Sequence, residues 1–224
     1  MPNRRQAVRF CVLVALTASL GAAGPIGSIF FNSLGVAGDA QLILNGTTTI
    51  NASNTGWYTS ANTTNEPGGA NYITGLCSNC GGPTFRDFFA FTIPAEITVT
   101  TATLNVNTYI YDSTNPSETL GLFDVSTPLA TLLAGTGGLA AYNDFGSGVL
   151  YGSRVYTSAD QNLFRTVSLN ASAISAIQQS AGGSFVMGGA LQDQVIPEPS
   201  TLVLMASALG LLAAHRATKR IRRP

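Results

Sequence analysis

Apolar and polar positions alternate in short runs through the middle of the chain. From Thr101 to Tyr111, Ala102, Leu104, Val106 and Ile110 fall on one side, and Thr103, Asn105, Asn107, Tyr109 and Tyr111 on the other. A period of two places successive side chains on opposite faces, so this run predicts a half-buried strand. Glu118 to Val125 alternates likewise, with Leu120 and Leu122 opposed to Phe123 and Val125, and Phe85, Phe89, Phe91 and Ile93 share one face of an aromatic run. Further strands are predicted at 41–44, 47–52, 71–74, 148–156, 164–169 and 184–188. Turn signals separate them, among them Asn45-Gly46, Gly81-Gly82-Pro83, Asn115-Pro116 and Gly137-Gly138. One helix is predicted over 171–181: Asn170 can cap it, Ala173, Ile174 and Ile177 form its apolar stripe, and Gly182-Gly183 ends it. Many short strands at this spacing predict an all-β domain over 39–195, a β-sandwich of jelly-roll type with one short helix.

Composition sharpens the picture through its distribution. Eleven basic residues balance eleven acidic ones over 224 residues. Between Asp39 and Ile196, however, only Arg86, Arg154 and Arg165 stand against ten acids, a net charge of −7, with no Lys and no His. Such a body disfavours nucleic acid and other polyanions as partners. The basic residues collect at the two ends.

The first end reads as an export signal. Arg4, Arg5 and Arg9 precede an apolar run to about Ala23, and Gly21-Ala22-Ala23-Gly24 offers a small-residue exit. Those are the three parts of a secretory signal helix, residues 1–24. A second apolar patch, 26–36, leaves a cut as late as 37 or 38 open. A retained membrane helix is the alternative.

At the other end, Pro197-Glu198-Pro199 precedes an apolar stretch from Thr201 to Ala214, then a basic cluster from His215 to Pro224. Fourteen residues at about 1.5 Å each make roughly 21 Å of helix, a short transmembrane span. The tripeptide, short helix and Arg-rich end together resemble the PEP-CTERM sorting signal of bacterial surface proteins. The resemblance covers 196–224. It implies that Pro197, Glu198 and Pro199 are recognised by an exosortase-type membrane protease, and that the chain is membrane-anchored before processing and at the cell surface or outside afterwards. Two prolines keep the motif extended, a form a protease can grip. A permanent single-span anchor is the alternative. Phe85 to Tyr111 is also similar to the strand, proline turn, alternating strand core of jelly-roll modules in bacterial extracellular proteins.

Candidate chemistry in the body is sparse. Cys77 and Cys80 are expected to form a loop-stapling disulfide, since an exported chain usually joins two such cysteines. Zinc is disfavoured by the lack of further ligands. Without a body His there is no Ser-His-Asp triad. A carboxylate pair would suffice for a hydrolase, with Glu118 and Asp124 as candidates. No metal site is assigned, although calcium is a candidate at Tyr142-Asn143-Asp144-Phe145-Gly146. Trp57, Tyr58, Tyr109, Tyr111 and Tyr151 could stack sugars. The reading is a non-enzymatic surface or matrix protein without a cofactor, associated with extracellular polysaccharide or biofilm. A carbohydrate-binding module is the first alternative and a secreted hydrolase the second.

Overall fold

The computed structural model of the chain describes residues 27–31, 39–64, 72–77 and 82–192. Eleven strands follow in chain order: β1 Ser28–Phe31, β2 Ala40–Leu44, β3 Thr48–Asn51, β4 Asn54–Thr59, β5 Tyr72–Leu76, β6 Thr84–Thr92, β7 Ala102–Asp112, β8 Glu118–Asp124, β9 Leu150–Tyr156, β10 Leu163–Ser168 and β11 Ser184–Leu191. Every pairing between them is antiparallel. One hydrogen-bonded path runs β3-β2-β7-β1-β5-β6-β11-β8-β9, with β10 added on β7 and β4 on β6. The path curls until β9 reaches β10. There, a Cβ at Gly152 would lie 2.4 Å from the Ser168 carbonyl oxygen, and the Asn170 N–H donates to the Tyr151 carbonyl at 2.8 Å. Gly152 is what lets the two strands close up.

The alternation in the sequence sorts side chains as expected along the first part of β7. Ala102, Leu104 and Val106 are buried while Thr103, Asn105 and Asn107 are half-exposed. Beyond them the register of β7 against β1 shifts between Phe30 and Phe31. This corrects the expected faces: Tyr111 is buried and Ile110 is only half-buried. An added residue in one strand reverses which face the following side chains meet.

β6 is apolar on both faces for a reason that lies elsewhere in the chain. Phe89 and Phe91 enter the main core, while Phe88 packs against Phe145, ring centroids 5.4 Å apart, beneath a helical cover. That cover is α1, Leu129–Leu133, and α2, Gly138–Asp144. The expectation of a single helix is therefore corrected to three among the described residues. Gly137-Gly138 looks like a turn in isolation, but Ala141, Tyr142 and Phe145 bury an apolar face against β6 and β4 and stabilise a helix there.

The expected helix is present as α3, Ala171–Gln179. The Asn170 side chain accepts from the Ala173 N–H at 3.1 Å and donates to the Leu150 carbonyl at 2.6 Å, fixing the helix start to β9. Asn170→Ala is expected to cost about 1 kcal/mol, read as a lowered midpoint in thermal or urea unfolding.

The sheet also draws on residues upstream of 39. β1 lies there, between β5 and β7, with Ser28, Ile29 and Phe31 at 0% exposure. Phe31 packs against Tyr72, Phe89 and Tyr156, centroids 6.1, 6.4 and 5.8 Å away. Gly27 is tied down too: its N–H donates to Glu118 Oε1 at 3.2 Å and its carbonyl accepts from Leu76 at 3.0 Å.

Candidate functional site

Pro197, Glu198, Pro199, Cys80 and both expected terminal helices lie outside the described residues. Among those described, no helix is long and apolar enough to cross a membrane. Cys77 is buried at the close of β5. The Gly82 N–H donates to the Cys77 carbonyl at 3.3 Å, so the chain returns on itself within five residues.

The loop named for calcium holds a different cation. Arg86 Nη1 donates to the carbonyls of Tyr142 at 2.9 Å and Asn143 at 3.2 Å, and its guanidinium carbon stands 4.4 Å from the Tyr142 ring centroid. A Cβ at Gly146 would lie 2.6 Å from that carbon. The oxygens a calcium ion would need are thus spent on a guanidinium, which also covers the ring face. Burial lowers the Arg86 pKa. Asp144, the carboxylate of the same loop, accepts from the N–H and hydroxyl groups of both Ser126 and Thr127 at 2.6–2.9 Å. Partial burial pushes this carboxyl up, but the bonds from Thr127 and Ser126 outweigh it and hold its pKa below the ordinary value. Among the described residues, no three His, Cys, Asp or Glu side chains gather in a way that could hold a metal.

Glu118 and Asp124 do not form a pair. They sit at the two ends of β8, about 20 Å apart at the rise of an extended strand, against the roughly 5–9.5 Å that carboxylate-pair hydrolysis requires. Each closes a loop instead. Glu118 accepts from the Ser113 hydroxyl at 2.6 Å and the Asn115 amide at 2.9 Å, and Asp124 from the Val149 N–H at 2.6 Å. Asp160 takes ion pairs from Arg154, at 3.3 Å, and Arg165.

The five aromatics named for sugar stacking do not share a surface. Tyr58 is buried under α1 with its hydroxyl donating to the Leu132 carbonyl at 3.0 Å, while Trp57, its neighbour in β4, packs edge-on against Phe85. Tyr111 and Tyr151 are buried, and Tyr109 is exposed on β7.

One carboxylate stands apart and belongs to no motif. Asp87 is 0% exposed on β6, and neither carboxylate oxygen has a hydrogen-bond partner. The buried hydroxyls of Tyr72 and Tyr156 are unpartnered as well. A Cβ at Gly189, opposite it on β11, would fall 2.0 Å from Asp87 Oδ1, so only glycine leaves room for the carboxyl. Burial pushes the Asp87 carboxyl well above the ordinary range, and burial likewise raises Tyr72 and Tyr156. The sequence did carry a signal: an acid on the same strand face as Phe85, Phe89 and Phe91 cannot reach water.

An open groove of about 380 Å³ runs along the outside of the domain. Residues 125–129 after β8, Tyr151, the last turn of α3 and the first residues of β11 line it. No ionisable side chain other than the Tyr151 phenol takes part. Comparison with known proteins adds nothing to this geometry: no family model, no curated protein and no solved structure matches the chain.

Proposed function

We propose that the chain is a non-enzymatic exported surface protein, sorted through its C-terminal segment and associated with extracellular polysaccharide. The observation that carries this is the pair of terminal devices: a basic, apolar, small-residue start at 1–24, and Pro197-Glu198-Pro199 followed by a short apolar stretch and a basic end. On this reading an exosortase-type membrane protease cuts near Pro197–Pro199 after the body has crossed the membrane. The basic end stays on the cytoplasmic side. The body acts outside as a jelly-roll sandwich stapled by a Cys77–Cys80 disulfide, a pairing supported by the buried Cys77 and the tight return at Gly82.

Replacing Pro197, Glu198 and Pro199 together with alanine is the test. In the native host the parent protein is expected outside the cell in a form shortened by its tail, and the variant full-length in the membrane fraction. Equal processing of both, or of neither, overturns the reading. Binding of carbohydrate as the body's own activity is the second reading, favoured by the uncharged groove.

A further inference from the structure

We propose that the groove between the start of α1 and the end of α3 is a binding site for a neutral saccharide. This rests on the polysaccharide association above and gives it a location. The lining is polar without being ionic. Ser126 and Thr127 come from the segment before α1, Gln179 and Ser180 from α3, and Ser184 from β11. A polyhydroxyl ligand meets hydrogen-bonding groups there without having to desolvate an ion. Ser126 and Thr127 already donate their hydroxyl hydrogens to Asp144, so they present lone pairs that accept from sugar hydroxyls.

Tyr151 is the second observation. It is 7% exposed, its ring is stacked on Phe185 at 5.8 Å and 30°, and it lines the groove. Its hydroxyl is not among the sealed, unpartnered polar atoms of the interior, as those of Tyr72 and Tyr156 are. It keeps access to solvent beside the groove, where a ligand hydroxyl can take the place of water. The groove is where a partner can enter.

Apolar surface interleaves with these groups. Pro128, Leu129 and Val186 line the same groove, offering contact to the C–H faces of a sugar ring while the hydroxyl edges meet the polar residues. Its volume lies within the roughly 300–1,000 Å³ of small-molecule sites. No Lys or Arg lines it. A polyanion would find no counter-charge there and would be repelled by the acidic body.

Binding of the full chain to neutral glucan, xylan and mannan oligosaccharides, with a polyuronate as the anionic comparison, tests this by calorimetry. The double variant Gln179→Arg, Ser184→Arg alters two exposed rim residues and is expected to keep the parent circular dichroism and melting temperature. Its affinity for the neutral glycan is expected to fall at least tenfold. Tyr109→Ala, outside the groove, should bind as the parent does. Absence of binding to every neutral glycan, preference for the polyuronate, or affinity untouched by the double variant overturns the proposal. Tail cleavage in the native host, measured separately, reports on the sorting reading and is expected to be the same in parent and double variant.

Discussion

A chain beginning at Gly38 is expected not to fold, whereas one beginning at Pro25 is expected to fold. The reason is β1. It is only four residues long, yet it fills the position between β5 and β7 and pairs with both. Without it two strands lose their partners inside the molecule, and unpartnered backbone groups in an interior are costly. The side chains matter as much. Phe31→Ala alone is expected to cost about 3–5 kcal/mol, as for other large-to-small changes in a core, because the ring meets Tyr72, Phe89 and Tyr156 at full burial. Urea unfolding of the variant checks the figure. A midpoint within error of the parent would show that β1 contributes little. The result bears on export: a cut after Ala37 would discard the strand, so the small residues at Gly21–Gly24 are the expected exit.

Asp87→Asn is expected to flatten the fall of stability with rising pH. In the fold the Asp87 carboxyl keeps its proton well past the pH at which an unfolded chain gives it up. A carboxyl raised in this way favours the fold fully below the unfolded pKa, near 4, and the benefit is lost as pH climbs toward the folded value. Over that window stability falls by about 1.4 kcal/mol per pH unit. Asparagine has the same shape and no proton to lose, so the variant should be flat over this range where the parent declines. Melting curves from pH 4 to 8 decide it. Parallel profiles for parent and variant would mean that Asp87 is not the group responsible.

How much of this could be read beforehand depended on whether an element shows water on one face. β7 has a buried and a half-exposed side as far as Asn107, and its alternation is plain there. β1 is covered on both flanks and follows directly on an apolar run, so it reads as the end of the export segment. β4 carries Asn54 and Gly56, which suggest a turn, but it is held by its ladder to β6. The helices α1 and α2 exist because the outer face of β6 needs a cover, and that requirement is invisible within 129–144. The sites show the same division. The sorting motif is local and legible. Arg86 displacing calcium depends on contacts 56 and 57 residues away in sequence. The groove draws on four separate segments, and Tyr151 gains its significance only once Phe185 is placed beside it.

The intact mass of the protein recovered from outside the native host tests export and sorting most directly, because one spectrum reports both ends. Export and tail cleavage predict a species that starts upstream of Gly27 and has lost the export segment, that ends near Pro197–Pro199, and that is two mass units lighter than its reduced form. A species that retains Thr201–Pro224, or one that starts at Gly38, would contradict this prediction.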